Sequence, residues 1–230
     1  IAPYRLGLTA TWDRDPEREN ALIEVLGDVV YEKTITELSG EYLADYETVR
    51  IQVHATALNP KDVLLRKGRM RWLPRGRPPW IPGYDLAGVL LDGTPDLPAG
   101  TRVMGMIDAH AGGACASIVA LPPEQFCAVP AGLALPDAAG IPLAGLAALQ
   151  ALRDELELRP GQTVLINGAS GGVGTLAVQI ARCLGATVTG VCSARNRERV
   201  LQLGAHHVVD YTTEDPAELR DLDAVFDVYG

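Results

Sequence analysis

Basic charge, aromatic side chains, paired cysteines and uninterrupted apolar runs are all scarce in this chain. Its 20 Lys and Arg face 29 Asp and Glu, a formal charge of −9 over 230 residues. A surface that neutralises nucleic-acid phosphates needs a basic stripe, so nucleic acid is excluded as a partner. The four cysteines, Cys115, Cys127, Cys183 and Cys192, form no CxxC pair, and the four histidines fall in no zinc-finger spacing. No metal site is therefore expected. Scattered single thiols suit a reducing compartment, where they act as small apolar side chains. The most apolar long stretch, 133–152, is broken by Pro136, Asp137, Gly140, Pro142 and Gly145, which excludes a membrane span there. Residues 1–20 are polar and charged and show no secretory signal, so the cytoplasm is the expected location. What is present is an ordinary globular composition, 47% hydrophobic and 21% charged, too apolar for general disorder.

The character of the sequence changes near residue 150. In 49–57, Val49, Ile51, Val53, Ala55 and Ala57 alternate with Arg50, Gln52, His54 and Thr56, the pattern of a half-buried strand. His54 has no second ligand nearby and reads as a solvated strand residue. Further strands are expected at 21–24, 88–91 and 116–120, separated by turn residues Gly93, Pro95, Pro98 and Gly100. Residues 21–130 thus read as an antiparallel, barrel-like domain. Beyond residue 150 strands alternate with helices. Strands are expected at 163–167, 187–192, 208–209 and 222–228. A helix through Leu176, Val178, Ile180, Ala181 and Leu184 stops at Gly185, a second over 196–203 stops at Gly204, and a short one lies near 215–220. That alternation implies a parallel, doubly wound sheet, so the fold class is α/β.

The chemistry concentrates in the loop Gly168-Ala169-Ser170-Gly171-Gly172-Val173-Gly174, between a strand and a helix. A dinucleotide site needs a tight turn, a bare backbone beside the pyrophosphate, and a small residue where helix meets strand. The pyrophosphate then sits on free N–H groups at the positive end of the helix dipole. Residues 169–174 fit this pattern, with Ala169 standing where the first glycine is usual and Ser170, Gly171, Gly172, Val173 and Gly174 around the phosphates. The competing reading is a glycine-rich structural turn. After the next strand, sites for NAD usually place an acid; here the run is Cys192-Ser193-Ala194-Arg195-Asn196-Arg197. Ser193, Arg195 and Asn196 suit a ribose 2′-phosphate, to which Arg makes paired charged bonds. NADPH is the expected cofactor, with Tyr211 near its adenosine end. The alternative makes Arg195 and Arg197 ordinary solvated residues at a helix start.

These segments give the chain a resemblance to a known family. ALNPKD (57–62), IPGYDLAGVL (81–90), GTRVMGM (100–106), AAGIPLAGLAALQAL (138–152), GASGGVGTLAVQIARCLGA (168–186) and LGAHHVVDYTTED (203–215) are similar to the zinc-free quinone oxidoreductase branch of the medium-chain dehydrogenase/reductase superfamily. Enoylreductase domains of polyketide synthases, in the same superfamily, are also similar. The resemblance implies a GroES-like catalytic and substrate domain over 1–135 and a Rossmann NADPH-binding domain over 136–230, with a substrate cleft between them. Zinc-bearing members carry a cysteine near ALNPKD and a His-Glu pair after Pro-Gly. This chain has Tyr84 and Asp85 there and no cysteine near Asn59. By the same resemblance, Asn59 lies beside the nicotinamide ribose, and Lys61 and Asp62 are the nearest groups for proton delivery, with Tyr84 a further donor. Asp62 has a structural alternative, capping a helix over 63–67.

Three features depart from the family pattern. Ala147 replaces a frequent threonine near the cofactor. Met70 falls where thioester enoyl reductases carry a catalytic tyrosine. The match runs to FDVYG (226–230), the end of the fourth Rossmann strand, while the family's later strands and return segment find no counterpart; the family's usual dimer strand lies there, which leaves homodimerisation open. The expected activity is zinc-free hydride transfer from NADPH to a quinone or α,β-unsaturated carbonyl. A polyketide enoylreductase domain acting on carrier-bound enoyl thioesters within a multidomain parent is the alternative. A non-catalytic, crystallin-like NADPH-binding protein or inactive fragment is a third reading. No membrane partner is expected.

Overall fold

Period-two burial organises the first half, and the structure, a computed structural model, describes residues 48–69, 81–108 and 112–228. All of them lie in one compact unit, Thr48–Gly230. Strand β1 (Val49–Ala57) buries alternate residues as its sequence predicts. It pairs antiparallel with β2 (Asp85–Leu90), which pairs with β3 (Arg102–Met106). Strand β4 (Ile118–Leu121) flanks β1, and β5 (Phe126–Ala128) flanks β3, giving the order β4-β1-β2-β3-β5. The barrel-like expectation is realised among the described residues as this five-stranded antiparallel sheet. The strand expected at 88–91 begins three residues earlier, at the buried Asp85, because apolar contacts on both faces extend it. Strands β3 and β5 had no clear alternation: Gly105 interrupts one, and the other is only three residues long. The strand expected at 21–24 lies outside the described residues.

Helix α1 (Pro60–Arg66) corrects the reading of 63–67 capped by Asp62. Proline's fixed φ suits the first helical position, so the helix starts at Pro60 with Asn59 as N-cap. Asp62 becomes the third helical residue. Helix α2 (Leu135–Ala138) puts Ala138 and Ala139 against Ala87 of the sheet. Helix α3 (Pro142–Leu149) continues into a wider π-type stretch, Gln150–Glu155.

The second sheet is parallel. Strand β6 (Thr163–Asn167) leads to α4 (Gly172–Cys183) and β7 (Thr187–Cys192); a 3-10 turn, Ala194–Asn196, precedes α5 (Arg197–Gln202); β8 (His207–Asp210) and β9 (Ala224–Asp227) follow. The order β8-β7-β6-β9 places β6 in the middle. The helix expected at 196–203 is present as α5, one residue shorter at each end, with Asn196 as its N-cap. The helix near 215–220 is only a 3-10 turn, Pro216–Glu218. One apolar cluster joins Leu152, Val164, Ile166, Val178 and Val188 between α4 and the parallel sheet. A separate one joins Ile51, Leu86, Leu90 and Val103. Among the described residues no helix is long and apolar enough to cross a membrane.

Candidate functional site

In a parallel sheet, the chain leaves β6 toward β7 on one side and returns to β9 on the other. The carboxyl ends of β6 and β9 thus border a crevice at a switch in strand order, the usual place for a ligand in such sheets. Asn167 and Asp227 face each other there, the Asn167 amide donating to Asp227 Oδ1 at 2.9 Å. The glycine loop starts at this point. Its tight turn is made by Gly168, at φ +78°, where an L side chain would be strained. This corrects the assignment of the turn to Ala169. Ala169 is instead fully buried, its amide donating to Val191 O at 3.0 Å. At Gly174 a Cβ would stand 2.1 Å from Gly168 O, so the helix closes directly on the loop. At Gly172 a Cβ would meet nothing within 4 Å, leaving open backbone at the start of α4. The first amides of that helix have no partner within it. A pyrophosphate fits this cradle.

The turn after β7 meets the loop. Asn196 donates from Nδ2 to Ser170 Oγ at 3.2 Å and to Ser193 Oγ at 3.3 Å. Ser170, Ser193 and Asn196 are thereby brought together, and Arg195 is exposed in the same 3-10 turn. Sequence reading missed the support beneath this turn, Asp210, which pairs across the sheet with Cys192. Its Oδ1 accepts from Thr212 N at 3.1 Å and Thr212 Oγ1 at 2.8 Å. These bonds, with another from the Ala194 amide and the nearby Arg197 charge, hold its carboxyl below the usual range. The Asp-x-Thr pattern of such a turn was the available signal. Tyr211, the next residue, is 60% exposed.

A second cluster sits where β1 hands over to α1. Asp62 is buried and both of its oxygens accept backbone amides, Asn59 N at 2.9 Å and Gly83 N at 2.8 Å. Asp85 is buried too. Its Oδ2 accepts from Asn59 Nδ2 at 2.7 Å and its Oδ1 from Leu143 N at 2.6 Å. Burial pushes the Asp85 carboxyl upward; the Asn59 and Leu143 bonds oppose this, and the charge of Asp62 adds to the rise. Lys61 Nζ lies 4.5 Å from the centre of the Tyr84 ring, a cation–π contact on a side chain with 1% exposure. The importance of Asp85 was not read from the sequence, although an acid heading the apolar run DLAGVL was a signal.

Metal ligation does not fit these residues. Among the described residues, no group of three His, Cys, Asp or Glu could hold an ion. The acid after Gly83 is already bonded through both oxygens.

Comparison with known proteins agrees with this architecture. Residues 45–149 match the alcohol dehydrogenase GroES-like domain, and residues 172–230 match the zinc-binding dehydrogenase family. A chloroplast envelope quinone oxidoreductase homolog of Arabidopsis thaliana is 38% identical over 181 residues, 75% of this chain and 55% of that protein. A pikromycin polyketide synthase component of Streptomyces venezuelae is 35% identical over 172 residues, 73% of this chain and 4% of that protein. The quinone oxidoreductase structure from Coxiella burnetii superposes with a TM-score of 0.70 at 34% identity, covering 80% of this chain and 60% of that one. Escherichia coli quinone oxidoreductase complexed with NADPH gives 0.62 at 29% identity, covering 74% and 52%. The chain spans 55%, 60% and 52% of the length of these Arabidopsis, Coxiella and Escherichia relatives.

Proposed function

We infer the activity from one premise: the chain belongs to the medium-chain dehydrogenase/reductase superfamily, among its quinone oxidoreductase-like members. The protein is an NADPH-dependent reductase of quinones or α,β-unsaturated carbonyl compounds, working without zinc. The observation that carries this reading is the junction of the glycine loop with the turn after β7. Ser170, Ser193 and Asn196 converge there beside Arg195, and no acid ends β7. The nearby acid, Asp210, is tied to Thr212 and the Ala194 amide. The NADPH-bound Escherichia coli relative supports the same choice.

The cofactor supplies a hydride from its nicotinamide ring, and the residues of the chain do the rest. Gly171, Gly172, Val173 and Gly174 present amides to the pyrophosphate. Ser193, Arg195 and Asn196 hold the 2′-phosphate, and Tyr211 borders the adenosine. Asn59 orients the nicotinamide ribose. Charge developing on the substrate oxygen needs a donor. Lys61 is that donor, holding a proton at Nζ above the Tyr84 ring. Asp62, with both oxygens on backbone amides, shapes the loop rather than moving a proton. The two domains divide near 135/136, with α3 in the cofactor part, since Ala148 joins its core.

The polyketide synthase relative favours a second reading, an enoylreductase domain within a larger parent acting on carrier-bound enoyl thioesters. One experiment orders the two: NADPH oxidation by the longest natural form with a small quinone, a small enone and an acyl-carrier-bound enoyl thioester. Turnover of the first two supports the proposal. Turnover of the thioester alone replaces it with the second, and absence of all three leaves a non-catalytic nucleotide-binding protein.

The cofactor assignment has its own test, the dissociation constants of NADPH and NADH. Hydrogen bonds to charged groups contribute roughly 1.5–3 kcal/mol. Arg195→Ala should therefore weaken NADPH by about ten- to a hundredfold and leave NADH nearly unchanged. Ser193→Asp should weaken NADPH and strengthen NADH, because its carboxylate repels the phosphate but accepts a 2′-hydroxyl. A wild type that prefers NADH, or equal losses for both cofactors in Arg195→Ala, would refute the NADPH assignment.

A further inference from the structure

A buried carboxylate is unfavourable unless its oxygens are well occupied. Asp85 is 2% exposed and heads a strand whose other residues are apolar or glycine, so packing alone gives no reason for an acid there. Its two oxygens reach in different directions. One accepts the Asn59 side chain, on the loop between β1 and α1; the other accepts Leu143 N, in the first turn of α3. Helix α3 packs along α4, the helix that begins in the glycine loop. Gly145 of α3 lies beside α4, where a Cβ would be in ordinary contact, 3.8 Å, with Leu176. Asn59 is held a second time through its backbone, by Asp62, whose other oxygen fixes Gly83 two residues before Asp85. An asparagine at position 85 would put an NH2 donor where one of these two oxygens now accepts, setting donor against donor on one side.

We propose that Asp85 is a positioning residue that holds the Asn59 amide and the first turn of α3 in one frame, keeping the nicotinamide end of the site in register with the glycine loop. The positional half of this stands on the hydrogen bonds. The functional half rests on the reading that Asn59 orients the nicotinamide ribose.

The test uses the longest natural form of the protein. In the unmodified protein, NMR should show couplings through both hydrogen bonds, from Asn59 Nδ2 and from Leu143 N to Asp85 Cγ. This needs no variant, so a variant that fails to fold cannot blunt it. In Asp85→Asn the Asn59 side-chain amide signals should shift and exchange faster, while the glycine-loop signals stay in place. In turnover, Asp85→Asn should lower kcat by about ten- to a hundredfold, the scale of a misplaced reacting group, with the cofactor Kd changed less than about threefold. Combined with Asn59→Ala it should cost less than the product of the two single losses, because the Asp85–Asn59 contact is shared. Asp85→Glu, which keeps two acceptor oxygens, should recover part of the loss. Missing couplings, unmoved Asn59 signals, or losses that simply multiply would overturn the proposal. A wild type with no turnover would instead overturn the activity reading, while the NMR result still decides the positioning.

Discussion

Three aspartates show how little residue type alone says about role. Asp62 and Asp85 are both buried and hydrogen-bonded through both oxygens, one to backbone amides and the other to a side chain and a helix start. The sequence drew attention to Asp62 through its motif and passed over Asp85, because alternation and spacing carry no information about which distant groups a carboxylate meets. Asp92 is on the surface, gripped by Arg50 through Nε at 2.8 Å and Nη2 at 2.7 Å, with its carboxyl lowered to about 2. A carboxyl depressed on folding contributes stability above its unfolded pKa, about 3.9, and loses it as pH falls toward the folded value. The melting-temperature gap between wild type and Asp92→Asn should therefore be full at pH 5 and shrink between about pH 4 and pH 2. Added salt should narrow it at pH 5, since both partners are solvated. Lys61→Met is expected to cut kcat by roughly a hundredfold, the lower range for losing a general acid, with the cofactor Kd retained. An unchanged kcat would remove Lys61 from the proton path.

At the scale of elements, the glycine loop was legible because strand, turn and helix occur in a fixed order, and that order survives small errors in boundaries. The division of labour among its glycines was not legible. Which glycine needs a positive φ, and which must let a helix approach, depends on contacts that the spacing does not encode. Gly174→Ala should lose stability by about 1–3 kcal/mol or more, since the added Cβ meets backbone at Gly168, which cannot move aside. Gly172→Ala should do the reverse. A Cβ there is unopposed, and alanine in a helix is favoured over glycine by about 0.5–1 kcal/mol. Its melting temperature should hold or rise, while cofactor binding weakens because the new methyl group crowds the pyrophosphate. Equal behaviour of the two variants in both measurements would show that the loop does not work as described.

At the scale of the whole molecule, the two largest apolar clusters among the described residues stand apart, one under the antiparallel sheet and one between α4 and the parallel sheet. The change of period near residue 150 foretold this division. The bridging part played by α3 escaped notice, because a run such as PLAGLAAL looks equally apolar on every side. Leu152 is fully buried in the second cluster. Leu152→Ala should lose about 2–5 kcal/mol. Hydrogen exchange should show faster opening of β6 and β7, with the amides of β1 and β2 far less affected. Uniform acceleration in both sheets would mean that the clusters unfold as one.

The position of β6, central in the order β8-β7-β6-β9, has a consequence for how this protein can change. The crevice at its end exists because the chain departs on one side and returns on the other, whatever side chains happen to border it. Exchanging Ser193, Arg195 or Asn196 retunes what the crevice prefers to hold but cannot relocate it. Its address is set by connectivity and its taste by a handful of side chains, so selection can alter the second freely while the first stays inherited.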